Sequence, residues 1–304
     1  MVDQIQLRMR GISNSMAQEK RFGSKRFAEK SQRALVYVAL IVISLIWVFP
    51  FFYLIFQSFG KFASGGIFPA KGEWTFDNYK NLFTLPETPF LKWWLNTFII
   101  ALFTAVLQTI LVLMTSYALS RLRFNGRQGL MKLILILGMF PGFLGMLVIY
   151  YILELLGLNT SIYSLILVYT ASSAMSYYVA KGFFDTIPKS LDEAVMIDGG
   201  TKNTVFWKVI IPLSKPIIIY TVLVSFTGPW GDFMFGKYII QTAQIQPTGY
   251  TVAVGLQGLT TMATNDLYGA FCAGAVLVSI PITALFFWLQ RYYVEGIAGG
   301  AVKG

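Results

Sequence analysis

Residues 190–216 read SLDEAVMIDGGTKNTVFWKVIIPLSKP, a polar interval between two strongly apolar regions. Ser190 and Glu193 stand three apart, the S-x-x-E spacing of a capping box, in which the hydroxyl accepts from a free backbone N–H and the carboxylate reaches back. Asp192 and Glu193 bring negative charge to the first turn, where the helix dipole favours it. Leu191, Ala194 and Val195 then repeat at i, i+3 and i+4, which gives a short helix one apolar face. Gly199-Gly200 ends that helix. Thr201 is placed to cap a second one, whose Val205, Phe206, Val209 and Ile210 form another stripe. The stretch therefore predicts two short amphipathic helices joined at a sharp break. Their apolar faces need cover, either from the chain itself, from the lipid interface or from another protein.

Composition sets the surroundings of this hairpin. The chain has 304 residues, of which 56% are hydrophobic and 12% charged. Soluble proteins average about 25% charged residues, so the deficit points to an all-α polytopic membrane protein. Mean hydropathy is +0.62. Six apolar segments, at about 34–57, 93–119, 131–153, 161–183, 209–235 and 269–292, each approach the roughly 20 residues that a bilayer requires. The expected layout is a basic tail 1–33, a first transmembrane helix within 34–59, an outer loop 60–92 and a transmembrane core 92–287. That core carries a cytoplasmic loop 185–208 and an outer loop 237–267, and a cytoplasmic tail 288–304 follows. Of the 24 Lys and Arg residues, nineteen fall in the tails and the second and fourth connections or in the span ends that border them, and five on the other side. The positive-inside rule then places both termini and the hairpin in the cytoplasm. The same distribution makes the net charge of +10 a matter of topology rather than of nucleic-acid binding.

Several chemistries lack their residues. Histidine is absent and Cys272 is the only cysteine, so imidazole catalysis, His/Cys metal sites and intrachain disulfides are excluded or nearly so. No G-x-x-x-x-G-K-[ST] phosphate loop occurs, so ATP cannot be held by that device. An autonomous secondary transporter would need ionisable groups inside the bilayer; Asp232 is near a span end and nothing comparable lies near a span centre. A membrane-embedded enzyme has still fewer players.

The spacing of Glu193-Ala194, Gly199 and Val209-x-Ile211-Pro212 resembles the EAA motif, EAA-xxx-G-x9-I-x-LP, of membrane subunits of ABC importers. Asp198, Leu213 and Pro216 resemble the carbohydrate-uptake version. Val195 stands for the second Ala, Val209 for Ile and Ile211 for Leu, each still apolar. Trp74-Thr75-x-x-Asn78-Tyr79 resembles a segment of sugar permeases of this class, and 296–304 (GIAGGAVKG) resembles the terminus of carbohydrate permeases; the run 250–257 (YTVAVGLQ) is similar to the same region of the maltose/maltodextrin permeases (the MalG type).

The resemblance implies a six-helix type I permease fold and half of a translocation path for an oligosaccharide such as maltodextrin. It implies that the hairpin is a coupling helix docked in a cleft of a separate ATPase subunit through Leu191, Glu193, Ala194, Val195, Asp198, Gly199, Val209 and Pro212. Gly299, Gly300, Val302, Lys303 and Gly304 would reach toward the ATPases. Gln244, Thr248, Tyr250 and Gln257 would face an extracytoplasmic sugar-binding protein. Trp230 and Asp232, in a segment similar to W-N-[DE]-F, are candidate pathway residues; capping or pairing at the interface is the other reading of Asp232. The implied partners are a second related permease subunit, two ATP-binding subunits that hold the ATP and Mg, the sugar-binding protein and the lipid bilayer of a bacterial inner membrane. This chain would hold no cofactor or metal and carry no catalytic residue.

Overall fold

The computed structural model describes residues 30, 32–61, 73–86, 88–140, 142–261 and 267–301. Among them the only strand-like pairing is a bridge between Gly60 and Trp74. The chain divides into two units, Met1–Phe56 and Gln57–Gly304. The first is represented by α1 (Gln32–Ser58), 27 residues with a mean hydropathy of 2.6. Its Leu, Ile, Val, Phe and Trp side chains are exposed along most of its length. At 1.5 Å per residue it is about 40 Å long, more than a hydrocarbon core requires.

The second unit is built around α3 (Phe90–Arg121), preceded by the short α2 (Asp77–Thr84). Then come α4 (Arg127–Met139), α5 (Gly142–Leu155), α6 (Ser164–Ala171) and α7 (Ala174–Thr186). The hairpin supplies α8 (Lys189–Ile197) and α9 (Lys202–Leu213). Last are α10 (Lys215–Gly231), α11 (Met234–Thr242), α12 (Val252–Thr261) and α13 (Tyr268–Ala301). α3 packs against α6, α7, α10 and α12, and α10 also packs against α13. Three buried clusters are strung along α3. One joins Phe90 and Trp93 to Trp230 and Leu256. The second joins Ile100 to Leu165, Phe235 and Ile239, and the third joins Val112 and Tyr117 to Phe184, Phe206 and Ile210. In lipid the gain comes from close packing rather than escape from water, which suits the small Thr97, Thr104 and Ser116 buried along α3.

The six apolar segments are all helical, but only three described helices are long and apolar enough to cross a bilayer unbroken: α1, α3 and Tyr268–Gln290 of α13. The segment expected at 131–153 is interrupted between α4 and α5. Phe140, which precedes Pro141, is extended (φ −65°, ψ 141°), as the residue before a proline is driven to be. The segment expected at 161–183 breaks between α6 and α7, where Ser173 Oγ donates to the Thr170 carbonyl at 2.7 Å. The fifth span does not begin at 209 as its hydropathy suggests. α9 and α10 meet at a 79° bend, so Val209 and Pro212 belong to the hairpin. Pro216 lacks the N–H that would continue the helix through Ser214, and its ring crowds the carbonyl one turn back.

The expected outer loop 237–267 is largely helical, since α11 and α12 occupy most of it. The tail expected from 288 continues α13 through Ala301. Asn78 of the 74–79 segment is buried and donates to the carbonyls of Ser58 (3.0 Å) and Gly60 (2.7 Å), an internal latch.

Candidate functional site: the helical hairpin

α8 starts one residue before Ser190. Its N-cap is Pro188, extended at φ −57° and ψ 131°, with no side-chain cap bond, so the Ser190–Glu193 capping box is not formed. The proline before Lys189 sets the helix start without it. Glu193 is exposed. Asp192 turns inward instead and lies 3.0 Å from Arg121 Nε, with side-chain exposures of 20% and 3%.

The far end of α8 closes as the glycines predict. Gly200 N donates to Val195 O at 2.8 Å and Gly199 N to Met196 O at 3.2 Å, the paired bonds of a Schellman motif. Gly199 is left-handed at φ 79°, a conformation that costs other residues about 1–2 kcal/mol. Thr201 caps α9 as expected. Its hydroxyl accepts from Thr204 N while the Thr204 hydroxyl accepts from Thr201 N, so a second Thr fills the place of the usual Glu. Within α9, Phe206–Ile210 form a π-turn.

The apolar face is rotated from the one that periodicity suggests. Val195 is half-buried against the third cluster. Leu191 is 40% exposed and Ile197 85%, and Ala194 between them is exposed as well. The outward strip is therefore Leu191, Ala194 and Ile197, spaced i, i+3 and i+6. Ile197 adjoins the glycines that end the helix, and in the sequence only its spacing from Leu191 places it on this strip. Asp198, Gly199 and Pro212 are exposed and Val209 is half-buried.

The inner side of the hairpin is held by α3. Arg121 Nη2 donates to the Ile187 carbonyl at 2.7 Å. One turn earlier, the Tyr117 hydroxyl donates to the Lys202 carbonyl at 2.7 Å, and its ring lies 4.9 Å from that of Phe206. Ser120 Oγ donates to Asp185 at 2.6 Å, and Lys181 pairs with the same carboxylate at 2.5 Å.

The other site residues lie elsewhere in the second unit. The Tyr169 hydroxyl donates to Asp232 Oδ2 at 2.5 Å and Phe235 N donates to Oδ1 at 3.1 Å. Both oxygens are thus engaged in capping and pairing. Trp230 is buried, its ring 5.6 Å from that of Trp94. At the end of α3 remote from the hairpin, Trp93 Nε1 donates to Pro247 O at 2.7 Å, and Asn96 Nδ2 donates to the carbonyls of Thr248 (3.1 Å) and Tyr250 (3.0 Å). This pins the backbone of 247–250, leaving Gln244 and the Thr248 side chain exposed and Tyr250 and Gln257 half-buried. Gly299 and Gly300 lie in the helical backbone of α13; Val302, Lys303 and Gly304 lie outside the described residues. Between α3, α10 and α13 runs a groove of about 630 Å³ with an almost wholly apolar lining that includes Phe98, Val106, Phe226 and Trp288. Among the described residues no three of His, Cys, Asp and Glu converge as metal ligands would.

Residues 112–299, which include the hairpin, match the family described as the binding-protein-dependent transport system inner membrane component. The chain belongs to this family, the permease subunits of ABC importers. It is 37% identical over 273 residues to the galactooligosaccharides transport system permease protein GanQ of Bacillus subtilis, a match covering 88% of this chain and 94% of that one. It is 33% identical over 287 residues to the maltodextrin transport system permease protein MalD of Streptococcus pneumoniae, covering 92% and 99%. Among solved structures, it superposes on a chain of a bacterial ABC transporter involved in import of the acidic polysaccharide alginate, with a TM-score of 0.72 at 20% identity, covering 88% and 98%. A second alginate ABC transporter structure, in complex with a pentasaccharide-bound periplasmic protein, matches with a TM-score of 0.56 at 16% identity.

Proposed function

We propose that this chain is one of two membrane subunits of an oligosaccharide importer, driven through the α8–α9 hairpin by a separate ATPase that holds the ATP and Mg. One observation carries the reading. A rigid, doubly capped hairpin at one end of a membrane bundle leaves Leu191, Ala194 and Ile197 uncovered in a row. Such a strip is the helix-in-groove form of recognition. The other groups assigned to this interface are Glu193, Asp198 and Gly199 on the same exposed surface, and Val209 and Pro212 in the following helix. With no phosphate loop in the sequence, the chain is not itself the ATPase.

Maltodextrin is the proposed cargo, from the relatives named for it and from the run 250–257; the segments 74–79 and 296–304 support a carbohydrate more generally. The relative named for galactooligosaccharides favours a second reading, a galactooligosaccharide. The groove beside α3 has Thr109 as its one polar side chain and presents almost no polar surface to meet sugar hydroxyls, so it suits lipid or an apolar helix of the second permease. Trp230 and Asp232 are occupied in packing and pairing, so their pathway role is as supports of the surrounding helices. Gln244, Thr248, Tyr250 and Gln257 are proposed to face the external sugar-binding protein, and 299–304 the ATPases. The membrane is the bacterial inner membrane, with both termini in the cytoplasm.

The test expresses the chain with its co-purifying partners and measures uptake of labelled maltotriose and galactobiose. Ile197→Glu and Leu191→Glu should leave membrane abundance unchanged, because both side chains are exposed, and should release the ATPase subunit. Retention of the ATPase with normal uptake in both variants would refute the docking role. Preferential galactobiose uptake would replace the cargo.

A further inference from the structure

The hairpin has two routes into the bundle. The covalent one runs from α9 into α10 through the 79° bend at Ser214, a weak lever for axial force. The other is made of side chains. Arg121 holds the chain just before α8 through Ile187 O and holds α8 itself through Asp192. Tyr117 holds the first residue of α9 through Lys202 O. Tyr117 and Arg121 are i and i+4, on one face of α3, and they grip the hairpin on both sides of the Gly199-Gly200 turn.

The Arg121–Asp192 contact is poorly explained as a source of stability. Its Nε and Oδ2 atoms are 3.0 Å apart, yet Arg121 Nε and Nη1 and Asp192 Oδ1 make no aligned hydrogen bond and are buried. A buried ion pair with unmet groups gains little over an apolar pair of the same shape. What it supplies is a fixed distance and direction between two elements. α3 in turn contacts α6, α7, α10 and α12, so motion delivered to it reaches most of the unit.

We infer that Tyr117 and Arg121 are positioning residues through which α3, rather than the covalently attached α10, takes up displacement of the hairpin. The inference rests on the coupling role proposed above. In the assembled complex, with whichever of maltotriose and galactobiose the wild type imports, the readout is ATP hydrolysed per sugar imported. Membrane abundance and ATPase co-purification are measured alongside. Arg121→Gln should retain the ATPase but raise ATP consumed per sugar about tenfold, within the coupling range of contacting residues. Asp192→Asn should behave alike, and the double variant should be no worse than either single one. Tyr117→Phe should show the same defect in smaller degree. Where Arg121→Gln fails to accumulate, Arg121→Lys, which keeps the charge but not the forked reach to both acceptors, takes its place. Unchanged stoichiometry in these variants, while Ile197→Glu still releases the ATPase, overturns the inference and leaves the docking reading standing. Additive effects of Arg121→Gln and Asp192→Asn, or failure of every Arg121 variant to accumulate, overturn it in favour of a purely structural pair. Retained ATPase with Ile197→Glu instead removes the docking reading on which the inference rests.

Discussion

The two glycines of the hairpin should fail in different ways. A Cβ on Gly199 would meet nothing within 4 Å, so substitution there costs only the left-handed backbone at φ 79°, about 1–2 kcal/mol for Ala and less for Asn, which tolerates this region. A Cβ on Gly200 would lie 2.6 Å from Val195 Cγ1 and 2.8 Å from Val195 O. The methyl group can rotate away, but the carbonyl cannot, because it accepts the Gly200 N–H. Gly200→Ala must therefore open the Schellman closure. Loss of its two hydrogen bonds, at about 1 kcal/mol each, totals about 2 kcal/mol and shifts the population of the closed hairpin by a factor of up to about 30. The expected order of damage is Gly199→Asn, then Gly199→Ala, then Gly200→Ala. The assay is uptake normalised to membrane abundance, with limited proteolysis of the hairpin as the structural readout. Gly199→Asp is nearly isosteric with Gly199→Asn, so a further loss of uptake with equal proteolysis would report charge placed at the docking face. Wild-type uptake and proteolysis with Gly200→Ala, or greater damage from Asn than from Ala at 199, would refute the geometric reasoning.

Two further outcomes follow from the geometry and one from the charge distribution. Thr201→Ala should destabilise the start of α9 by about 1 kcal/mol and Thr201→Ser by much less; amide hydrogen exchange across 201–205 would show fast exchange confined to the Ala variant. Asp232→Asn keeps an acceptor for Phe235 N while Asp232→Ala loses it and also strands the Tyr169 hydroxyl; the Ala variant should therefore be less stable in detergent by a further ~1 kcal/mol and melt at a lower temperature, and equal melting would contradict the capping role. With Cys272 buried and silent, a cysteine at Thr248 should react with a membrane-impermeant thiol reagent in intact cells and one at Lys202 should not; the reverse pattern would invert the proposed orientation.

Much of this was legible along the chain because the signals are local. The Gly199-Gly200 stop and the Thr201 cap depend on backbone conformations that few residues adopt, so they hold wherever the segment sits. The apolar segments and the EAA spacing likewise gave class and family, since bilayer thickness and motif spacing are properties of the chain. Tertiary structure decided the rest. Ser190 lost the cap because Pro188 sets the helix start, although the proline was in view. Which side of α8 faces out was settled by Arg121, 66 residues from its acceptor Ile187, whose charge pulls Asp192 inward and turns Val195 into the third cluster. Periodicity defines a stripe but not the neighbour it meets. The bend at Ser214 moved Val209 and Pro212 out of the fifth span because hydropathy counts apolar residues and is blind to axis direction. Asp232 is an acid near a span end in the sequence; only the fold brings Tyr169 to it, and that contact makes it a paired cap rather than a free charge.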